Sequence, residues 1–399
     1  MSRVTGSPRL ALGLLLATTC SGTTESTPPV ASLRISPDSL QLEVGTSAQL
    51  TAIALDASGA QVTGVSVAFT SADTAVAAAT LSGQVTGRGS GRTTIRASVG
   101  KVSAATPVNV RAAPHLDRTP ILVAARPFGA AVSSAGDVYV TQQDADALTR
   151  IRLSPLAVAG TVPVGRDPGD VAFIASGATA YVTNFEGGTL GRVDVASGVQ
   201  AATVALGGEA YRLYITRDDA KLIVTCGNGT LQVRQAGAMT LLATVGVGPT
   251  PNGIASLGDT LVYVSSSSGG KITEVDVRAG TVRRTFTIGG IPQDIALSRD
   301  GRQLYVADEQ RGVEIVSVST GAVTATIPSG GRTFGLGLGP DGWLYVTVTD
   351  LGKVLVIDPV GQGIRATIPV GGTPRRVAFD AHGTAVIVPN EGGWVDIIR

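Results

Sequence analysis

Short apolar runs and Gly-rich turns alternate along the chain from about Pro120 to Arg399, with a period of 40 to 42 residues. Each repeat, such as residues 166–207, has four apolar, β-branched runs of five to seven residues. Such runs are too short for helices, and the Gly, Asn and Ser residues between them favour strands. They are apolar on both sides, as expected when both faces of a small sheet are covered. The pattern predicts a succession of small four-stranded sheets packed on one another.

Two sets of residues, here called columns, have one member in each repeat and so give the number of repeats. The first holds an aromatic residue or Ile that Val follows: Tyr139, Tyr181, Ile223, Tyr263, Tyr305, Tyr345 and Ile387. The second opens each repeat: Pro127, Pro168, Ala210, Pro251, Pro292, Thr333 and Pro374. Periods of about 40 to 45 residues with four strands each are typical of propeller blades. The columns therefore predict an all-β fold with a seven-bladed β-propeller over residues 116–399.

The turns between the predicted strands fall on two faces. Tight turns such as Asp300-Gly301 and Ser197-Gly198 join the first strand to the second and the third to the fourth, on what we call the hairpin face. Longer loops such as TNFEGG lie on the opposite loop face, with the Pro-containing links between repeats. Binding residues concentrate on longer loops held by a rigid scaffold. We therefore expect a binding site on the loop face and little room for a pocket on the hairpin face.

The last repeat ends after its third strand. The segment Ile121–Ala124 aligns with the fourth strand of later repeats. It is expected to pair with Gly393–Arg399 and to remove two strand edges that would otherwise be exposed.

Several segments of the repeats resemble a known family. TAYVTN (Thr179–Asn184), QLYVAD (Gln303–Asp308) and WLYVTV (Trp343–Val348) are similar to the YVTN-type β-propeller repeat. The resemblance covers about 280 of 399 residues. It implies a lactonase-like or surface-layer-type propeller of the kind found in bacterial and archaeal surface and periplasmic proteins. The matching residues are core and turn residues, so the resemblance implies a fold and no particular activity.

Residues 1–20 have the features of a secretory signal, and residues 21–29 form a polar linker. Arg3 and Arg9 precede an apolar run that is too short to span a bilayer. Cys20 stands where a lipoprotein signal would place the acylated cysteine, although Thr19 departs from the usual Gly or Ala before it. Two alternatives stay open: lipid attachment at Cys20, or a plain cleaved signal.

Residues 30–111 have a different character, with short Val, Leu and Thr-rich strands and no 41-residue period. The pieces SADTAVA and GQVTGRGSGRTTI resemble the bacterial immunoglobulin-like group 2 domain, with Phe69 where that family usually has Trp. The resemblance implies a small β-sandwich of six to eight strands. Such modules act as spacers or as adhesive units, and we favour a spacer.

Composition excludes several classes of function. The net charge is +1 and no basic stripe is present, which disfavours nucleic-acid binding. Cys20 and Cys226 cannot form a disulfide framework. His115 in the linker and His382 in a tight hairpin do not cluster with other metal-ligating residues, so neither a metal nor another cofactor is expected.

Polar residues recur two positions after the opening column. The charged members there are Asp170, Arg212, Asp294 and Arg376, and symmetry places them around the mouth of the channel. With neighbouring side chains they form the predicted ligand-binding ring: Asp170, Arg212, Asn252, Asp294, Arg332 and Arg376. Converging guanidiniums favour a carboxylate or another planar anion. The alternative is that Asp170 and Arg212 form only a rim salt bridge, worth at most about 1 kcal/mol.

Two functions follow from these features. The first is a monomeric, non-catalytic, exported envelope protein that presents a propeller on an Ig-like stalk and binds a protein, a glycan or a small polar ligand. It would lie in the periplasm, on the outer membrane or at the cell surface, and would touch the membrane only through an anchor at Cys20. The alternative is an exported hydrolase of lactonase type that uses carboxylate and Arg side chains on the loop face, which rests on kinship of fold alone.

Overall fold

The computed structural model describes residues 28–124, 126–380 and 382–399. The chain divides into two compact units, the first ending at Arg111 and the second beginning at Ala112. The predicted signal, Cys20 and most of the polar linker lie outside the described residues. Within the described residues, no helix is long and apolar enough to cross a membrane.

The first unit is built from short strands. They are β1 (Ser32–Ser36), β2 (Leu40–Glu43), β3 (Ser47–Gln49), β4 (Thr51–Leu55), β5 (Ala68–Ser71), β6 (Ala77–Ala79), β7 (Gln84–Gly87), β8 (Gly91–Val99) and β9 (Val102–Arg111). They form sheets in the orders β1-β4, β2-β9-β8-β5 and β3-β7-β6. These nine strands exceed the predicted six to eight, partly because β3 and β4 are separate elements. Leu50 lies between β3 and β4 and belongs to neither the β3–β7 pairing nor the β1–β4 pairing. Its amide donates to Gly83 O at 2.8 Å.

One apolar core holds the first unit together. Leu50, Val85, Ile95 and Ala97 are fully buried in it, and Phe69 packs there at 6 % exposure. Phe69 therefore fills the core position where the resembled family usually has Trp, and the smaller ring leaves the fold intact.

The second unit consists of four-stranded antiparallel sheets, numbered here in chain order. Sheets 1 to 3 are β11 (Pro127–Val132), β12 (Val138–Gln142), β13 (Ala147–Leu153), β14 (Leu156–Pro163); β15 (Pro168–Phe173), β16 (Thr179–Asn184), β17 (Thr189–Asp194), β18 (Val199–Ala205); and β19 (Ala210–Ile215), β20 (Lys221–Cys226), β21 (Thr230–Gln235), β22 (Leu241–Gly246). A 3-10 turn, η1 (Gln143–Ala145), follows β12.

Sheets 4 to 7 continue the same pattern of strands. They are β23 (Pro251–Leu257), β24 (Leu261–Ser266), β25 (Lys271–Asp276), β26 (Thr281–Thr287); β27 (Pro292–Leu297), β28 (Gln303–Asp308), β29 (Gly312–Ser317), β30 (Val323–Ile327); β31 (Thr333–Leu338), β32 (Leu344–Val348), β33 (Lys353–Asp358), β34 (Gly363–Pro369); and β10 (Arg118–Leu122), β35 (Ala378–Phe379), β36 (Val386–Asn390), β37 (Trp394–Ile398).

Neighbouring sheets pack through their first strands. β11 contacts β15, β15 contacts β19, and the series continues through β23, β27 and β31, while β11 also contacts β35 and β36 of the last sheet. Apolar clusters fill the space between sheets, as where Tyr305 and Ile315 of sheet 5 pack with Leu344 and Val346 of sheet 6. These repeated four-stranded sheets, covered on both faces, fit a β-propeller.

Both predicted columns have structural roles. The aromatic or Ile residues of the first column lie in the second strand of each sheet, and each is at most 4 % exposed. The residues of the second column open the first strand in sheets 1 to 6, and Pro374 forms an isolated bridge with Asn390 in sheet 7. The period therefore reflects the core and the beginnings of the strands.

The predicted pairing between the two ends of the second unit is confirmed. β10 runs antiparallel to β37, with Ile121 opposite Val395. Arg118 Nε donates to Asp396 Oδ1 at 2.5 Å, and the Asp396 side chain is fully buried. β10 begins earlier than predicted because Arg118 makes this contact at the start of the strand.

Candidate functional site

The predicted binding ring draws its charged side chains from one place in successive sheets. In sheets 1 to 6 the pairing between the first and second strands shifts register there, as between Pro168 and Asp170. A β-bulge of this kind bends the strand and redirects a side chain. The repeated bulge therefore sets one residue per sheet apart from the regular ladder.

A hydroxyl group from the second strand caps most of these bulges. The amides of Asp170 and Arg212 donate to Thr183 Oγ1 and Thr225 Oγ1, each at 2.9 Å. The same bond joins three further pairs: Gly129 with Thr141, Gly253 with Ser265, and Gly335 with Thr347. A buried amide without a partner would be costly, so these hydroxyls make the bulges stable.

The charged members of the predicted ring form one buried network. Arg212 Nη1 lies 3.4 Å from Asp170 Oδ1, and Arg212 Nη2 lies 3.3 Å from Asp294 Oδ2. Arg376 Nη1 lies 3.4 Å from the same Asp294 oxygen. The salt bridge considered for Asp170 and Arg212 is present, but Asp170 and Asp294 are only 3 % and 0 % exposed. The carboxylates of this network are therefore buried, whereas the Arg212 side chain keeps 19 % exposure.

Backbone groups complete the partners of both carboxylates. Leu213 N donates to Asp170 Oδ2 at 3.0 Å, and Ile295 N donates to Asp294 Oδ1 at 3.1 Å. Burial opposes the charge of Arg212, but Asp170 and Asp294 outweigh it and raise the Arg212 pKa. Each carboxylate is thus already held by a guanidinium and an amide, an arrangement suited to structure more than to proton transfer.

Arg376 is packed where the prediction placed an open mouth. It is 2 % exposed, and its Nη2 donates to Asn252 Oδ1 at 2.8 Å. Its guanidinium carbon lies 5.6 Å and 5.3 Å from the ring centroids of Phe128 and Phe334. Burial, and next the charge of Arg212, lower the Arg376 pKa to about 10. Arg376 therefore fills the interior instead of facing a ligand.

A chain of amides links this interior to the surface. Asn252 Nδ2 donates to Gln293 Oε1, and Gln293 Nε2 donates to Glu309 Oε1 at 2.7 Å. Asn252 and Gln293 are buried, whereas Glu309 is partly exposed. Asn252 thus belongs to the network as predicted, and Glu309 is its outer end.

Partly exposed aromatic and arginine side chains lie next to the bulge residues along the chain. Phe128 and Tyr211 each precede a residue of the bulge column, and Arg375 precedes Arg376. Arg375 Nε lies 2.9 Å from Glu391 Oε1, and its guanidinium carbon lies 5.5 Å from the Phe128 ring centroid. We call Phe128, Tyr211, Glu309 and Arg375 the outer ring. The two aromatic members were missed from sequence, although their position next to the charged column was a usable signal.

Arg332 lies outside the network. Its side chain is exposed, and its backbone amide donates to Asp350 Oδ1 at 2.8 Å. It precedes the opening residue Thr333, whereas the other arginines of the ring follow the opening residue. The structure therefore separates Arg332 from Asp170, Arg212, Asp294 and Arg376.

Outside the network, His115, Asp341 and Tyr345 meet: His115 Nε2 lies 3.8 Å from Asp341 Oδ2, to which Tyr345 Oη donates at 2.7 Å. Within the described residues, no group of three or more His, Cys, Asp or Glu could hold a metal ion. Cys226 is fully buried, and burial raises the pKa of its thiol to about 11. His115 donates its amide to Tyr345 Oη at 2.8 Å, on the hairpin side of sheet 6.

Cavities open on the hairpin face, which corrects the expectation that this face has little room for a pocket. Volumes of about 810, 510 and 270 Å³ lie among turns that join first to second or third to fourth strands. The largest includes His382, Asp380 and Arg152, and the smallest includes Tyr181 and Arg192.

Comparisons with known proteins agree with this architecture. Residues 29–110 match the family model of the bacterial Ig-like domain (group 2), a domain typical of extracellular or surface proteins. No curated protein matches the chain. A solved structure described as Kuenenia stuttgartiensis Hydrazine Synthase is similar, with a TM-score of 0.64 and 19 % identity over 68 % of this chain and 95 % of that chain. At this identity the likeness shows the fold alone. Residues 29–110 thus form a bacterial Ig-like domain of group 2, joined to an all-β unit of repeated four-stranded sheets.

Proposed function

We propose that this protein is an exported, non-catalytic envelope protein that binds a glycan with the outer ring of a seven-bladed, YVTN-type propeller. The observation that carries this proposal is the partly exposed outer ring, which adjoins a network whose own charges are already paired. The residues proposed to contact the ligand are the partly exposed Phe128, Tyr211, Glu309 and Arg375, of which Arg375 also pairs with Glu391.

Export is supported by the Ig-like domain that precedes the propeller in the chain. Group 2 Ig-like domains are typical of surface proteins, and the matched region follows the predicted secretory signal after a short polar linker. Attachment through a lipid at Cys20 would hold the protein at a membrane. Mass spectrometry of the mature N-terminus tests this part, since an unmodified terminus beyond Cys20 would mean a free periplasmic or secreted protein.

The blade count is supported by the contacts between sheets. First strands contact one another in series from β11 through β15, β19, β23 and β27 to β31, and β11 contacts β35 and β36, which suits a closed ring of seven. Pairing of β10 with β37 supplies the fourth strand of the last blade.

The outer ring has the composition that a glycan site requires. Phe128 and Tyr211 present apolar ring faces, on which the C–H face of a sugar can pack. Glu309 and Arg375 supply an acceptor and donors for hydroxyl groups. The buried residues Asp170, Arg212, Asn252, Asp294 and Arg376 then act as the rigid floor that holds the outer ring in place.

Binding of the full chain to immobilised cell-envelope polysaccharide tests the proposal. The Tyr211→Ala and Arg375→Ala variants should each weaken binding by about tenfold, while Arg332→Ala, which changes an exposed arginine outside the ring, should not. Binding that persists in the Tyr211→Ala, Arg375→Ala double variant would contradict the proposed site.

Two further results would redirect the proposal. Retention of envelope protein but not polysaccharide would favour a protein partner. Turnover of lactones or sugar esters that is lost in Glu309→Gln would favour the hydrolase alternative.

A further inference from the structure

The cavity of about 510 Å³ on the hairpin face has an unusual lining. Leu257, Leu297 and Leu338 come from the hairpin ends of three consecutive first strands, β23, β27 and β31. Arg217, from the turn after β19, and Arg299, from the turn after β27, complete it. Ligand pockets are typically roughly 300 to 1,000 Å³, and this cavity lies in that range; it is open to solvent, and its exposed lining is about equally polar and apolar.

The two arginines of this cavity are available for a ligand. Among the described residues, neither Arg217 nor Arg299 forms a salt bridge, and no Asp or Glu lines the cavity. Arg217 is exposed, and its backbone amide donates to Asp259 Oδ1 at 2.7 Å. Arg299 Nη2 donates to the carbonyl oxygens of Gly339 and Pro340, which fixes the guanidinium at the cavity wall.

The neighbouring cavity of about 810 Å³ lacks this combination. Its lining includes the carboxylates of Asp137 and Asp380 beside its basic residues. Asp137 already pairs with Arg150 at 2.5 Å. The cavity of about 510 Å³, which has no carboxylate among its described lining, is therefore the stronger candidate for an anion site.

The leucines restrict what the anion can be. Leu257 is 39 % exposed, and Leu297 and Leu338 are partly exposed. A fully hydrated anion would leave this apolar surface in contact with water, whereas an apolar ligand body would cover it, at about 25 cal/mol for each Å². A ligand with one charged end and one apolar end would use both parts of the lining.

We propose that this cavity binds a small amphipathic carboxylate, with the carboxylate between Arg217 and Arg299 and the apolar body on Leu257, Leu297 and Leu338. Guanidinium groups hold carboxylates through charge-assisted, often bidentate hydrogen bonds. The site is separate from the outer ring on the loop face, so it goes beyond the proposed glycan binding and does not depend on it.

Calorimetric titration of the full chain with three probes tests the chemistry. Octanoate carries both parts of the ligand, octanol has the same apolar chain without the charge, and acetate has the charge without the chain. Octanoate should bind at least about tenfold more tightly than either control. Equal binding of octanoate and acetate, equal binding of octanoate and octanol, or no binding of octanoate would overturn the proposal.

Matched variants test the location. Arg217→Gln should weaken octanoate binding by about tenfold, and Arg217→Lys should retain part of it because the charge remains. Arg278→Gln is the control, since Arg278 is an exposed arginine in another hairpin and does not line the cavity. Leu297→Asn should weaken octanoate binding without weakening acetate binding. If Arg217→Gln and Arg278→Gln bind octanoate equally, the site is not this cavity.

Discussion

Strand β19 has an arginine near each end, and the two side chains have opposite surroundings. Arg212, near its start on the loop face, contacts Asp170 and Asp294. Arg217, just after its end on the hairpin face, forms no salt bridge among the described residues and lines a cavity that also includes three leucines. The bulge column brings charged residues from several sheets together, so they neutralise one another. The hairpin-face cavity brings Arg217 and Arg299 together without a carboxylate among its described lining, so their charges stay available for a ligand.

The largest effect on stability is expected from deleting β37, the last strand of the chain. Deletion of Gly393–Arg399 removes β37, which pairs with β10 and β36 and buries Val395 and Ile397. The protein should aggregate or lose cooperative unfolding, as measured by circular dichroism during heating. Arg399→Ala, which keeps the backbone, is the control. A deletion variant that melts like the full chain would refute closure by this strand.

A smaller but still large effect is expected within the loop-face network. Asp294→Asn should lower the free energy of unfolding by about 3 kcal/mol, because Arg212 and Arg376 would keep their charges in a buried site without their shared partner. Urea denaturation measures this loss. Asp350→Asn is the control, since Asp350 is exposed and its replacement can still accept the Arg332 amide. Equal losses of unfolding free energy in the two variants would mean that the buried carboxylate contributes no more to stability than the exposed one.

An intermediate effect on stability is expected at a loop-face cluster in which two carboxylates share one guanidinium. Glu314 and Asp308 are both fully buried beside one guanidinium, Arg311. Burial is the main cause that raises the Glu314 pKa to about 7. A raised pKa means that the folded state holds the proton more tightly, so this contribution to stability is complete below the unfolded pKa and is lost as the pH rises through about 7.

Glu314→Gln should remove that dependence. Between pH 4.5 and pH 8 the native protein should lose on the order of 2 to 3 kcal/mol from this group, and the variant should lose much less. Urea denaturation at a series of pH values measures the difference. Parallel stability profiles for the two proteins would show that Glu314 does not titrate in this range.

The smallest effect on stability is expected at the hairpin cavity. Arg217→Gln should change the free energy of unfolding by less than about 0.5 kcal/mol, because its side chain is exposed and forms no ion pair with any described residue. Arg212→Gln, at the other end of the same strand, should cost several times more. Thermal denaturation of the two variants gives the comparison directly, and similar losses would contradict it.

The sequence predicted the repeat, the strand order and the closing strand because each depends on local patterns or on alignment between repeats. Asp170, Arg212 and Asp294 could be placed together because they share one position in the repeat. The burial of Arg376 could not be predicted, since Phe128 and Phe334 reach it from other sheets. Arg332 was grouped with the ring by type, although it lies on the other side of the opening residue. The cavity lined by Arg217 and Arg299 could not be predicted, since its lining comes from the turns of several sheets, which no single motif brings together.

The hydroxyl groups that cap the bulges have a consequence for how this repeat can diversify. Because Thr183 or Thr225 satisfies the bulge amide, the side chain on the bulge residue is not needed to hold the backbone in place. Gly, Asp and Arg all occupy that position in this chain under the same cap. Sheet 5 lacks the hydroxyl at Ala307, and there Asp294 instead accepts the amide of Ile295. In the capped sheets the bulge residue can therefore be replaced without loss of the hydrogen bond that holds the bulge. In sheet 5 a replacement of Asp294 would also remove the acceptor of the Ile295 amide.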